Sequence, residues 1–134
     1  MQKVIIDSSV WVSYIAKDSN HLKAKAILSR LLRKKDGRKI LVPRIIYLEV
    51  INSLRRLKKS LQVIESFRSH LKLKKIILVK TNEKIYIKAD KLSEKVRLKT
   101  LDLLILTTVL ELKIDKFFSF DKKLRKAYHL IKFL

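Results

Sequence analysis

The chain has no cysteine, one glycine, one proline and, in 134 residues, only 12 aspartates and glutamates against 33 lysines and arginines. The lack of cysteine removes disulfides and thiolate zinc sites. The three histidines, His21, His70 and His129, are dispersed and show no paired metal-ligand spacing. No flexible linker, low-complexity tract or internal repeat is visible. No apolar run approaches the ~18 residues of a membrane span. The first apolar run contains Asp7 and lacks the layout of a signal peptide. These absences predict a single domain over residues 1–134, cytoplasmic and without a membrane segment.

What is present is a good core and a large positive charge. Hydrophobic residues make up 48% of the chain, enough for a domain of this length to bury about two-thirds of its unfolded surface. The formal charge of +21 points to a polyanionic partner, with nucleic acid first and an anionic membrane surface second. A lysine-rich surface of the heat-adapted kind accounts for the total equally well, since 24 of the 33 basic residues are lysine.

Along the chain, Val4-Ile5-Ile6 is too short and too β-branched for a helix and reads as a buried strand. Ser8 and Ser9 can cap a helix over 10–16. A second helix restarts at Asp18 or Ser19 and carries Leu22, Ala26, Leu28, Leu31 and Leu32 as far as Lys35, before a turn at Asp36-Gly37. A second strand at 40–42 leads to Pro43, suited to the first turn of a helix over 44–59. Ser60 caps a helix repeating through Leu61, Ile64, Phe67 or Arg68, and Leu71. A third strand at 76–79 precedes a helix capped by Thr81 with Ile85, Ala89, Leu92 and Val96 on one side, and Thr100 caps a helix over 101–112. A fourth strand at 116–119, a short helix at 121–127 and an edge strand at 131–133 complete the pattern. Short apolar strands alternating with helices predict a three-layer α/β fold, a mostly parallel sheet of about four or five strands flanked by helices.

Four of the scarce acids stand beside core-like residues, where charge is costly unless offset. Asp7 ends the first strand, Asp121 follows the fourth, Asp102 opens an apolar helix, and Glu49 shares a helix stripe with Ile45 and Asn52. Asp7, Asp102 and Asp121 have a simpler explanation as helix caps or dipole partners, but Glu49 has no capping role. In open α/β sheets, ligands bind beyond the carboxyl ends of the strands, where Asp7 and Asp121 lie. Converging carboxylates need a counter-charge. A hard cation such as Mg²⁺ or Mn²⁺ meets that need with a few carboxylates and retained waters, and can activate water against a phosphodiester.

Four ordered segments carry a family resemblance: Val4-Ile5-Ile6-Asp7-Ser8-Ser9-Val10-Trp11, then Val42-Pro43 with Leu48-Glu49-Val50, then Thr100-Leu101-Asp102-Leu103-Leu104-Ile105, then Phe118-Ser119-Phe120-Asp121. Together they resemble the motifs of the PIN-domain ribonucleases and, within them, the small VapC-type toxins of toxin–antitoxin pairs. The resemblance implies a PIN-like fold and metal-dependent endoribonuclease activity on RNA. It implies that Asp7, Glu49, Asp102 and Asp121 bind Mg²⁺ or Mn²⁺, and that Ser9 and Ser119 orient carboxylates or metal-bound water. It also implies a homodimer and an antitoxin partner that covers the site. Two positions depart from the family pattern. Leu103, Leu104, Ile105 and Leu106 are bulky where small residues often follow the third acid, and Lys113-Ile114-Asp115 has no glycine before the fourth strand.

The densest basic clusters are Arg33-Lys34-Lys35, Arg55-Arg56-Leu57-Lys58-Lys59, and Lys72 with Lys74 and Lys75. They read as phosphate-positioning groups or as solvated helix ends, and the second could line an approach to Glu49. Trp11 and Tyr14 fit core or dimer packing better than base stacking. Alternatives to the toxin are an RNA-processing nuclease with the same acids and a catalytically silent RNA-binding module. A phosphoacceptor receiver is disfavoured, because Val79 is followed by Lys80-Thr81 with no aspartate.

Overall fold

The computed structural model describes residues 2–132. Four strands, β1 (Lys3–Ile6), β2 (Lys39–Pro43), β3 (Ile76–Val79) and β4 (Lys116–Phe118), form one sheet in the order β3-β2-β1-β4. Every pairing in it is parallel. Among the described residues seven helices flank the sheet: α1 (Ser8–Ala16), α2 (His21–Leu31), α3 (Arg44–Arg56), α4 (Leu61–His70), α5 (Glu83–Leu92), α6 (Thr100–Glu111) and α7 (Lys122–Ile131). The expected three-layer α/β architecture is therefore present, with four strands among the described residues.

The strands are apolar without alternation because both of their faces are covered. Val4, Ile5 and Ile6 are all buried, as are Ile40, Leu41 and Val42. The chain builds outward from β1 through β2 to β3, then returns to set β4 on the other side of β1. This reversal makes a switch point at the carboxyl ends of β1 and β4, where a crevice opens in folds of this kind. Trp11 is fully buried and meets Phe67 edge-on with ring centroids 5.4 Å apart, so it belongs to the core and not to an RNA-stacking surface.

Several local expectations change. Asn82, not Thr81, caps α5, its side chain accepting from the Ile85 amide at 3.1 Å. Ser8 and Ser9 lie in the first turn of α1, and the cap position falls to Asp7, whose carboxylate makes no capping bond. Thr100 is the first residue of α6 and not its cap. Ser60 does cap α4, accepting from Val63 at 3.3 Å. α2 stops at Leu31 instead of reaching Lys35, because the next segment is held to the sheet. Lys75 Nζ donates to the carbonyls of Arg33 and Asp36, each at 2.8 Å. Asp36 in turn pairs with Arg38 at 2.6 Å. α7 continues to Ile131, so no edge strand begins there; Phe133 lies outside the described residues.

A chain with one glycine must end its helices with other residues. Lys17, Lys58 and Lys113 all take left-handed conformations, with φ of 56°, 56° and 51°. After α3, Lys58 donates to Arg55 O and Lys59 to Leu54 O; after α6, Lys113 donates to Leu110 O and Ile114 to Val109 O. Both are Schellman closures, which favour glycine at the left-handed position. Lys113 thus occupies the backbone conformation that a glycine before the fourth strand would relax. The bulky residues after Asp102 are also accounted for: Leu104 packs with Ile85 and Ala89 of α5, and Ile105 and Leu106 join the main core.

The left-handed region costs a lysine roughly 1–2 kcal/mol, while glycine adds unfolded-chain freedom worth about 0.4–1 kcal/mol. Lys58→Gly and Lys113→Gly should therefore each stabilise the fold by about 0.5–1 kcal/mol, read as a higher urea midpoint at unchanged slope. Lys25→Gly, inside α2, should lower stability by about 1 kcal/mol.

Candidate active site

The crevice at the switch point is a cavity of about 350 Å³ whose lining includes Asp7, Glu49, Asp102 and Asp121. All four sequence-predicted acids are brought together. Asp7 is the most constrained, with 4% of its surface exposed. Its Oδ2 accepts from Ser9 Oγ and from Ser119 Oγ, both at 2.8 Å. Its amide donates to Phe118 O at 2.8 Å, extending the β1–β4 pairing by one residue. The same hydroxyls also accept: Ser9 Oγ from the Phe120 amide and Ser119 Oγ from the Asp121 amide, each at 3.0 Å. Two serines thus fasten the start of α1 to the turn between β4 and α7, with Asp7 at the centre.

Glu49 reaches the cavity from α3. Its carboxyl pKa is pushed up to about 7, first by burial and then by the negative charges of Asp7 and Asp102, with the Ser8 hydroxyl opposing. Its Oε1 is buried without a hydrogen-bond partner. Asp102, on the first turn of α6, is also raised, first by burial and then by Asp7 and Asp121, while Lys99 and Lys123 pull the other way. Asp121 is exposed and serves as the cap of α7, accepting from Leu124 N at 3.0 Å. Its capping role and its place at the cavity coexist.

Other lining residues carried no readable signal. Asp18 is a fifth acid in the cavity wall, beside Ser13, Asn20 and Ser53. Ser13 Oγ donates to Asp18 Oδ2 at 3.1 Å, and the Asn20 amide donates to Oδ1 at 2.9 Å. Asp18 follows the left-handed Lys17, and only the packing of α1 on α2 brings it to the site, so no spacing rule marks it. The dense basic clusters do not line this cavity. Lys34, Arg38, Lys39, Lys72, Lys74 and Lys75 instead surround a separate cavity of about 530 Å³, by the amino ends of β2 and β3. The cations that act on Asp102 are Lys99 and Lys123, which belong to none of those clusters.

The arrangement suits a hard cation chemically. Its donors are oxygens, its carboxylates repel one another, and a Glu49 oxygen is buried unpaired. Among the described residues no three acidic or histidine side chains are gathered closely enough to hold a metal ion by themselves. An ion here would therefore be held by a few carboxylates with water completing its shell.

With this geometry in view, comparison with known proteins is informative. Among curated proteins, none matches the sequence. The chain is similar to VapC20 of Mycobacterium tuberculosis, described as a sarcin–ricin loop cleaving toxin, with a TM-score of 0.74 and 16% identity over 92% of this chain and 94% of that one. It is similar to VapBC-1 of nontypeable Haemophilus influenzae, with a TM-score of 0.70 and 17% identity over 99% of this chain and 95% of that one. A third likeness is to VapBC2 of Rickettsia felis bound to a promoter DNA fragment, with a TM-score of 0.66 and 16% identity over 94% and 93%. These identities carry the fold alone. The sequence pattern of the PIN domain matches residues 4–130, nearly the whole chain, which therefore belongs to the PIN-domain family.

Proposed function

We infer that the protein is a metal-dependent endoribonuclease that hydrolyses RNA phosphodiester bonds, and that it acts as the toxin of a toxin–antitoxin pair. The observation that carries this reading is the convergence of Asp7, Glu49, Asp102 and Asp121 on one cavity in a chain of charge +21. When bound, Mg²⁺ or Mn²⁺ would neutralise phosphate charge and lower the pKa of a coordinated water. The four acids are the proposed ligands. Ser9 and Ser119 hold Asp7 through Oδ2, which leaves Oδ1 without a hydrogen-bond donor among the described residues and free to bind. Lys99 and Lys123 stand close enough to Asp102 to lower its pKa, and so could meet a phosphate entering the cavity. The toxin assignment is supported by the structural likeness to toxin–antitoxin proteins, and it carries with it a homodimer and an antitoxin that covers the cavity.

Digestion of RNA with and without Mg²⁺ or Mn²⁺ tests the activity. Cleavage should require the metal, and Asp7→Asn and Asp102→Asn should each lower kcat on the order of a hundredfold or more. Ser119→Ala, which removes only an orienting hydroxyl, should lose about 10–100-fold. Cleavage that survives chelation, or that both aspartate variants retain in full, would sink the reading. Salt-sensitive RNA binding with no cleavage under any divalent metal would point to a silent binding module. An adjacent reading frame whose product copurifies with the chain and blocks cleavage separates the toxin from an RNA-processing enzyme.

Proton linkage gives an independent check. The Glu49 carboxyl binds its proton more tightly folded than unfolded, so between about 4.5 and about 7 the folded state holds more protons. Stability of the metal-free protein from this group is then fully present below 4.5 and lost as pH rises through 7. Glu49→Gln should accordingly raise the Tm of the metal-free protein by a few degrees above pH 7, with the gain shrinking towards pH 4.5. Added Mg²⁺ should raise the Tm of the unaltered protein above pH 7 and do so less for Glu49→Gln.

A further inference from the structure

Next to the acidic cavity lies a second depression, of about 310 Å³, whose lining includes Ile27, Lys116, Phe118, Phe120, Arg125 and His129. Among the described residues its lining contains no acid, whereas the adjoining cavity has Asp7, Asp18, Glu49, Asp102 and Asp121. Phe120 lines both. β4, which forms one wall, is the outer strand of the sheet on this side. Lys116 Nζ sits 5.6 Å from the centroid of the Phe118 ring. The Phe120 ring is partly buried against the core, and its amide donates to Ser9 Oγ at 3.0 Å. That hydroxyl is the one that holds Asp7, so the position of Phe120 is fixed relative to the buried carboxylate.

We propose that this groove is a subsite for single-stranded RNA, in which a base next to the phosphate at the acidic cavity stacks on Phe120 while Arg125 and Lys116 take the following phosphates. The proposal rests on the nuclease reading and adds where the strand runs. Aromatic rings interleaved with cations and no acids make a stacking platform for an anionic polymer. An apolar ligand alone would have no use for three cationic or imidazole groups at the rim. A duplex keeps its bases stacked on one another, so only an unpaired base can reach the ring. The lining described offers faces and charges, and stacking on a ring tolerates any base.

Binding of a short labelled oligoribonucleotide in chelator, read by fluorescence anisotropy, tests this without cleavage. Phe120→Ala and Phe120→Leu should weaken binding by about 5- to 100-fold, the range that stacking of one base supports, and Phe120→Tyr should restore it. Phe120→Leu keeps an apolar side chain and guards against a folding defect. Removing the stacked base, with an abasic nucleotide at each position in turn, should weaken binding to the unaltered protein but not to Phe120→Ala. Arg125→Gln should reduce the slope of log K against log salt by about 0.7. Unchanged affinity in Phe120→Leu, or equal losses for Phe120→Ala on intact and abasic RNA, would overturn the subsite. The two readings fail separately. Binding through Phe120 with no cleavage under any metal defeats only the nuclease, and metal-dependent cleavage with unchanged Phe120→Leu binding defeats only the groove.

Discussion

The geometry of the cleft depends on one buried carboxylate. A charged group as enclosed as Asp7, with 4% of its surface exposed, carries a desolvation penalty of several kcal/mol unless donors surround it. Here the donors come from two separate parts of the chain, Ser9 on α1 and Ser119 at the end of β4. Satisfying Asp7 therefore requires β1 and β4 to lie side by side with their carboxyl ends level. Their register, Ile6 opposite Phe118, delivers this alignment. The hydroxyls then pass the constraint on to the amides of Phe120 and Asp121. The position of Asp121 at the cavity and of Phe120 at its rim follows from the same two serines.

Two of the other cavity carboxylates are not satisfied in this way. Glu49 and Asp102 are raised by burial and by their neighbours, and one Glu49 oxygen has no partner. A folded protein leaves few such groups, because each unmet buried acceptor costs about 1–3 kcal/mol. The acid nearest the sheet is locked by hydroxyls, while Glu49 and Asp102 are left frustrated. Frustration of this kind is relieved by a proton at low pH or by a cation at neutral pH.

Much of this was legible in the residues, for reasons that can be named. Unbroken apolar strands such as Val4-Ile5-Ile6 announced a sheet covered on both faces, and the covered sheet placed Asp7 and Asp121 at strand ends. Glu49 stood out because a half-buried acid in mid-helix has no local use. The cap of α5 falls to Asn82 and not to Thr81 because both neighbours carry an acceptor oxygen suited to a helix start, and only the backbone geometry decides between them. Asp18 was invisible because its place at the cavity comes from the packing of α1 on α2, which no periodicity encodes. For the basic clusters, the solvated reading fits better than a place at the acids. Density along the chain reflects exposed helix ends and loops, and folding gathered Lys34, Lys72 and Lys74 around a cavity other than the acidic one, while the cations that influence Asp102 are Lys99 and Lys123.

The opposed charges of the cleft and the rest of the molecule bear on how the two could work together. At physiological ionic strength fields fade within about 8 Å, so an approaching polyanion responds first to the nearest surface. Most of that surface is positive, in keeping with the chain's net charge. A phosphate arriving at the cleft itself meets five acids in the lining, only partly offset by Lys99 and Lys123 beside Asp102, and without further charge it would be repelled. The groove beside it reverses the balance with Lys116 and Arg125. A strand held there brings its next phosphate to the acids by covalent connection, so the cleft need not attract that phosphate on its own. A divalent ion among the carboxylates would then have only to change the local sign at the last step. On this view the negative cleft helps selectivity: it admits a phosphodiester when both a neighbouring nucleotide is anchored and a cation is in place, and it rejects free anions that satisfy neither condition.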